Sequence, residues 1–342
     1  MSGGEVTAIV PVWNRRDLVE RALGGLRAQT RPVAEVVVVD DGSQDGSAEL
    51  AESLGARTIR MGSHGGFARA VNRGVRECRT PLVAVVNNDV ELAPDWLERL
   101  VRVLEDPRRP GGLPHFATGR ILRAGDPQRI DATYDALCRG GTAWRVGNGR
   151  LDGPAFQEPR EIGFAPFTAA LFRAELFEKI GLLDERFESY LEDVDFGLRC
   201  AVAGCAGRYV PDAIAWHEGS ATLGTWHAET TRRIARNQVF LISKHYSRRM
   251  IWRYGWPILV AQGLWCFTAV RHGRGWACIQ GKAQGLRRWS EVREPLPYGR
   301  GSEGRAAEVL CAGEREIRRV QRESGQDWYW RLYFLLTPGG AK

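Results

Sequence analysis

A run of five apolar residues, Leu82 to Val86, stops abruptly at Asn87-Asn88-Asp89. Three of the five are Val, the pattern of a strand covered on both faces. Such strands belong to open α/β sheets, whose ligands gather at the carboxyl ends of the strands. A carboxylate at such an end is costly to desolvate without a partner. Asp89 therefore holds a partner such as a divalent metal, or it caps a turn or the helix that starts near Pro94.

The preceding residues supply more of the same sheet. Val6 to Val12 reads as a first strand ending at Pro11-Val12-Trp13-Asn14, and Val33 to Val39 as a second ending at Asp40-Asp41-Gly42-Ser43. Helical spacing over Asp17 to Gln29 puts Leu18, Ala22 and Leu26 on one stripe. A short helix is expected over Ser47 to Leu54 and a short strand over Ala56 to Met61. The turn His64-Gly65-Gly66-Phe67 leads into a helix from about Ala68 to Arg79. Strand and helix alternate three times in ninety residues, which predicts a parallel, doubly wound sheet. Acidic strand ends suit metal, ribose or base contacts. No G-x-G-x-x-G follows the first strand and no G-x-x-x-x-G-K-S/T occurs, which disfavours nicotinamide and P-loop chemistry.

Further along, residues 95–106 read as a helix. Residues 107–160, rich in Gly, Arg and Pro, predict one strand near Gly119 to Leu122 and otherwise irregular loops. A second acidic centre, Glu192-Asp193-Val194-Asp195, opens a helix predicted over 193–204, where the helix dipole favours carboxylates. That placement fits capping as well as chemistry. A strand from Gly207 leads through Pro211-Asp212-Ala213 to His217. Imidazole is a common second donor for a metal held by one carboxylate.

These segments, in this order, resemble the inverting family-two glycosyltransferases with the GT-A fold, and among them the bacterial rhamnosyltransferase-like members. The likeness rests on Val10-Pro11-Val12-Trp13-Asn14-Arg15, Val38-Val39-Asp40-Asp41-Gly42-Ser43, Gly65-Gly66-Phe67-Ala68-Arg69-Ala70-Val71-Asn72-Arg73-Gly74, Asn87-Asn88-Asp89, Asp184-Glu185-Arg186-Phe187, Glu192-Asp193-Val194-Asp195 with Arg199, and Pro211-Asp212-Ala213 with His217. It implies that Pro11, Trp13 and Asn14 line a nucleotide pocket, that Asp40 hydrogen-bonds the base, and that Asp41 closes the same loop. It places Gly66 and Asn72 beside the nucleotide or sugar, Asn88 on the sugar or ribose, and Asp89 with His217 on a divalent metal, Mn²⁺ or Mg²⁺. Asp193 matches the general base, with Glu192 and Asp195 orienting it or binding acceptor hydroxyls. The donor implied is a nucleotide-diphosphate sugar, with dTDP-rhamnose the first choice, and the partner a saccharide or polyprenyl-linked acceptor. Two departures stand out: the usual Asp-x-Asp appears as Asn87-Asn88-Asp89, and His64 stands where Asn is frequent.

Charge divides the chain differently. Residues 1–224 carry 27 Lys/Arg and 32 Asp/Glu, whereas 225–300 carry 14 and 3, with half of the twelve Trp. This predicts a catalytic domain over 1–225 and a basic, Trp-rich helical region over 226–342. Its alternating Trp and Arg suit amphipathic helices lying on an anionic membrane surface. An ordinary helical domain and a nucleic-acid surface are the weaker readings. The seven Cys show no C-x-x-C spacing, so neither zinc nor a disulfide framework is expected, and reduced thiols in the cytoplasm are the simplest reading. No secretory leader is expected over residues 1–10, and no stretch has the length of a membrane span. A peripheral protein on the inner face of the cell membrane follows. Two other functions compete. A non-catalytic scaffold would lose the metal or base carboxylate. A sugar-1-phosphate nucleotidyltransferase wants a glycine-rich loop after the first strand, which Pro11-Val12-Trp13-Asn14-Arg15-Arg16 lacks.

Overall fold

The computed structural model describes residues 5–107, 112–219, 226–293 and 302–339. The first ninety residues fold as their pattern predicts: β1 (Val6–Val12), α1 (Arg16–Arg27), β2 (Glu35–Asp40), α2 (Ser47–Ser53), β3 (Arg57–Arg60), α3 (Phe67–Glu77) and β4 (Leu82–Val86). β1 pairs in parallel with both β2 and β4, and β2 with β3. All five residues of β4 are buried. Leu82, Ala84 and Val86 join the apolar cluster on one sheet face, and Val83 and Val85 join the cluster on the other. That two-sided burial is why the strand alternates nothing and reads as a continuous Val-rich run.

The next stretch departs from expectation. After β5 (Val90–Leu92) and α4 (Trp96–Glu105), residues 116–162 contain β6 (Phe116–Arg123), β7 (Asp126–Ala132), β8 (Asp135–Leu137), β9 (Ala143–Arg145) and β10 (Arg160–Ile162) rather than one strand among loops. Several of these are three-residue strands, too short to leave a period in the sequence. Then come β11 (Ala169–Arg173), α5 (Ala174–Ile180), α6 (Glu192–Val202) and β12 (Gly207–His217). The sheet is consequently mixed. Its order is β10-β12-β6-β11-β4-β1-β2-β3, with β5 paired to β12 and β7 to β6. β11 runs antiparallel to both β4 and β6.

The chain continues through α7 (Ala228–His245), α8 (Arg248–Arg253), α9 (Gly255–Arg271), α10 (Gly275–Arg287), α11 (Trp289–Val292), α12 (Ser302–Ser324) and α13 (Trp328–Leu336). The compositional boundary near residue 225 lies outside the described residues. Phe240 and Leu241 of α7, Tyr246 just after it and Leu310 of α12 share one buried cluster with Phe187, Val194 and Leu198, so α6 packs between the sheet and the later helices. α10 seats on α7 through glycines: a Cβ at Gly281 would lie 2.2 Å from the Arg232 carbonyl oxygen. Cys266 and Cys278 form a disulfide between α9 and α10, which corrects the expectation of reduced thiols at this pair. The helical hairpin brings the two α-carbons to 5.9 Å, a closeness that a spacing of twelve does not announce. Cys78, Cys138, Cys200, Cys205 and Cys311 are free.

One segment is held against its own backbone preference. Glu188, Tyr190 and Leu191 have φ of 61°, 72° and 67°, in the left-handed region that side chains disfavour. Each such residue costs on the order of 1–3 kcal/mol and persists only when its surroundings dictate it. Here they do. The Asn237 amide of α7 donates to the carbonyls of Phe187, Ser189 and Tyr190 at 2.9, 3.0 and 2.7 Å. Arg236 adds hydrogen bonds to the Phe187 carbonyl and the Glu188 carboxylate. Across the loop, Gly66 has φ +93°, and a Cβ there would lie 2.9 Å from the Glu188 carbonyl oxygen. α3 and α7 thus grip the turn that launches α6. Asn237→Ala removes these donors from buried carbonyls and is expected to cost about 1–3 kcal/mol, read from urea denaturation. Amide hydrogen exchange at 187–192 should accelerate with it; unchanged exchange there would take Asn237 out of this role.

Candidate active site

A cavity of about 840 Å³ opens at the carboxyl ends of β1, β2 and β4. Pro11 and Trp13 line it at the end of β1, and Asp41 just past β2. Trp13 stacks on His64 with ring centroids 4.0 Å apart. The His64 Nδ1 lies 2.8 Å from Asp41 Oδ2, and the Asp41 carboxylate also accepts the N–H groups of Gly65 and Gly66 at 2.8 Å each. So the unexpected His64 finishes this wall of the cavity, with Asp41 as its anchor.

Asn87, Asn88 and Asp89 follow β4 into the same cavity. Strand register then does the rest: Val90 of β5 pairs with His217 of β12, which sets Asp89 beside that histidine. His217 Nε2 is 3.2 Å from Asp89 Oδ1, and its Nδ1 shares a 2.8 Å hydrogen bond with Asp131 Oδ2. Asp89 Oδ1 is buried and accepts no aligned hydrogen bond. Burial pushes the imidazole down, but Asp131 and Asp89 outweigh it and raise His217 to about 9. Burial likewise works against the Asp131 charge, and His217 holds that carboxyl below its usual range. Asp131 comes from the end of β7 in the stretch that the sequence left unread. A carboxylate oxygen and a ring nitrogen, the latter fixed by a second carboxylate, make a donor pair suited to a divalent metal. Among the described residues no three His, Cys, Asp or Glu side chains form a complete metal cluster.

Opposite chemistry gathers at the start of α6. Glu192 and Asp193 line the cavity together with Asp135 of β8 and Arg145 of β9, which face each other in the β8–β9 ladder. Glu192 and Asp135 are buried, and Oε2 of one and Oδ2 of the other lack hydrogen-bond partners. Burial, then the Asp193 charge, pushes Asp135 up to about 7. The same two causes raise Glu192 well above the carboxylate range. Burial raises Asp193 as well, but Arg145 opposes the rise and the Val194 N–H donates to its Oδ1 at 2.8 Å. Of the three carboxyls, Asp193 has its negative charge best compensated. Burial opposes the Arg145 charge, and the surrounding carboxylates keep the guanidinium ionised.

Pro11, Trp13, Asp41, Asn88, Asp89, Glu192, Asp193 and His217 are thus brought to one cavity. The other expected residues are not on its wall. Asn14 ties two loops together, taking the Gln44 N–H on its side-chain oxygen while its own N–H donates to Ser43 Oγ. Asp40 receives the Ser43 N–H at 3.3 Å beneath the loop, and Asp41 takes the place on the cavity wall instead. Gly66 serves the close approach to Glu188. Asn72 is spent on Leu183, donating to its carbonyl and accepting its N–H at 2.9 Å each, so it fixes α3 to the 183–185 turn. Asp195 is fully buried among Arg199, Lys244 and His245; burial opposes its charge, but the Lys244 and Arg199 cations and the 2.7 Å hydrogen bond with His245 Nε2 hold the carboxyl well below its usual range. It orients α6 rather than facing the cavity. Asp131, Asp135, Arg145 and Asn237 carried no motif. Only the acidic and basic character of 126–145 could have flagged the first three.

Comparison with known proteins identifies the family. The model of glycosyl transferase family 2 matches residues 7–181, and that of glycosyl transferase family group 2 matches 136–281. A pre-mycofactocin glycosyltransferase of Mycobacterium tuberculosis is 30% identical over 228 residues, covering 66% of this chain and 45% of that protein. The chain therefore spans less than half the length of that relative. An N-acetylglucosaminyl-diphospho-decaprenol L-rhamnosyltransferase of the same organism is 28% identical over 230 residues, 60% of this chain and 73% of that one. Among solved structures, GalNAc-T7 with UDP, GalNAc and Mn²⁺ superposes with a TM-score of 0.60 at 14% identity, over 98% of this chain and 56% of that one. The mannosyltransferase PcManGT of Pyrobaculum calidifontis, in complex with GDP-Man and Mn²⁺, gives 0.51 at 19% identity, over 97% and 86%. The mixed sheet with its carboxylate-lined cavity is the GT-A fold, and the chain belongs to glycosyl transferase family 2.

Proposed function

We propose that the protein transfers a sugar, with inversion, from a nucleotide-diphosphate donor to a hydroxyl of a saccharide acceptor. The observation that carries this reading is that Asp89 with His217 and Asp193 with Glu192 line one cavity although a hundred residues separate them. Trp13 and His64 offer flat faces for the base, and Asn88 a polar side chain for ribose or sugar hydroxyls. Asp89 and His217 would hold a divalent cation, Mn²⁺ or Mg²⁺, which neutralises the departing diphosphate when bound. Asp131 fixes the imidazole from behind, so that Nε2 is the nitrogen presented. Asp193 takes the acceptor proton as the acceptor oxygen bonds to the anomeric carbon and the bond to the diphosphate oxygen breaks. A base on one side and a leaving group on the other give a single displacement. Glu192, held neutral by burial, can donate a hydrogen bond to an acceptor hydroxyl while Asp135 accepts one. The likeness to the rhamnosyltransferase supports dTDP-rhamnose as donor and a lipid-diphosphate-linked sugar as acceptor.

Incubating the protein with a panel of nucleotide sugars, with and without Mn²⁺ or Mg²⁺, tests the donor; consumption of none of them would sink the reading. Asp193→Asn should lower kcat by about 10²–10⁴-fold while leaving donor affinity in place. Asp89→Ala should weaken donor binding when metal is present and leave metal-free binding nearly unchanged, as titration calorimetry would report. The acidic limb of the pH–rate profile should lie above the range of an ordinary carboxylate, since burial raises Asp193 and a protonated base cannot accept. Arg145→Gln removes the cation that opposes this rise, so Asp193 then holds its proton more tightly and that limb moves to higher pH. A limb that stays put would separate Arg145 from the base.

A further inference from the structure

From the outward faces of the last helices we infer that this protein docks on an anionic lipid surface through α9 and α13, with α10 at the border. The inference rests on the transferase reading only for its purpose; the surface itself stands on separate observations.

On α9 the exposed positions are Trp256, Leu259, Gly263, Phe267 and Val270, spaced by three or four and so forming one stripe along the helix. Trp252, just before it on α8, is 88% exposed. The opposite side of α9 is fastened inward: Ala261 and Pro257 lie over Gly140, and the Gln262 amide donates to the Gly140 carbonyl at 2.8 Å. α13 lies alongside. The Trp256 indole N–H donates to the Leu336 carbonyl at 2.7 Å, Phe267 packs edge-on against Trp328, and Arg271 sits over that same ring. Leu332, Leu335 and Leu336 extend the apolar surface there, and Trp276 and Ile279 extend it on α10. The platform is therefore continuous and rigidly attached to the body that carries the cavity. Among the described residues no helix is long and apolar enough to cross a membrane, so the stripe lies on a surface.

Charge selects the occupant. Residues 230–290 contain twelve Lys or Arg and not one Asp or Glu. Arg248, Arg249, Arg253, Arg271, Arg274 and Arg287 are exposed around the apolar stripe. A second copy docked face to face would oppose this positive rim with its own. A nucleic acid would match the charge but leave Leu259, Val270, Ile279 and Leu335 without partners. Lipid with anionic headgroups satisfies both, the aliphatic and indole side chains entering the interface and the arginines meeting phosphate. The same helix reaches the chemistry: Trp265 of α9 lines the cavity, beside Arg233 and Gln238 of α7. An acceptor anchored in that surface would meet the cavity along α7 and α9.

The test uses the full-length protein and vesicles of phosphatidylglycerol with phosphatidylcholine, compared with phosphatidylcholine alone. Co-sedimentation should be strong on the anionic vesicles and fall by about tenfold or more at high salt or on neutral ones. The triple variant Trp252→Ser, Leu259→Ser, Leu335→Ser should lose binding by a similar factor, and so should Arg249→Glu with Arg287→Glu. Thermal unfolding and nucleotide-sugar binding of the variants should match wild type, which shows that they fold and keeps this result apart from any failure of the transferase reading. Absence of wild-type binding to anionic vesicles, or undiminished binding by the triple variant, overturns the inference. So does a dimer in sedimentation velocity that the triple variant abolishes, or single-stranded DNA outcompeting the vesicles.

Discussion

The three-residue ladder of β5 on β12 is the contact on which the cavity depends. It joins the carboxyl end of the central strand to the far end of a strand that begins more than a hundred residues later. Through it, Asp89 and His217 become neighbours, and the β6–β7 pairing then adds Asp131 behind the imidazole. Short antiparallel strands of this kind contribute little stability alone. Here they are pinned between the long β12–β6 pairing and the buried β4, so a small ladder acquires a fixed register. That register decides which residues meet.

Two different devices position the two halves of the proposed chemistry. The leaving-group side is built from strand ends, where backbone pairing sets side-chain placement directly. The base side is built on a helix start whose preceding turn adopts three unfavourable backbone conformations and is gripped by Asn237 and Arg236. Burial then sorts the acids. Asp195 is held ionised by Lys244, Arg199 and a hydrogen bond with His245 and belongs to the scaffold, whereas Glu192 and Asp135 are pushed toward neutrality around Asp193. One stretch of four residues thus holds a structural carboxylate, a neutral carboxyl and the proposed base, separated by environment rather than by residue type.

Much of this was legible beforehand, for identifiable reasons. The doubly buried strands announced themselves as Val runs, and Asp41, Asp89 and the Glu192-Asp193 pair, singled out from acidic strand and helix ends, line one cavity. Reading failed where contacts are long-range and chain segments short. β8 and β9 are three residues each, so Asp135 and Arg145 left no period. Asn237 looks like any polar residue on an amphipathic helix until the turn it serves is folded beneath it. Asn72 and Asp40 match the family pattern by position, yet their polar atoms are consumed by backbone partners. A motif records which residue is needed, not whether it faces ligand or holds a loop. Cys266 and Cys278 were missed for the same reason, since only the hairpin of α9 and α10 makes them adjacent.

The grip of α7 on the 187–191 turn sets an order of assembly. A nascent chain emerging from the ribosome can pair its sheet as soon as β12 is out, which completes the strand-end wall of the cavity. The turn before α6 still lacks Asn237 at that moment, twenty residues further along, and is free to relax into ordinary backbone geometry. The start of α6, with the proposed base on it, can therefore take its final place only after α7 has left the exit tunnel and closed over the turn.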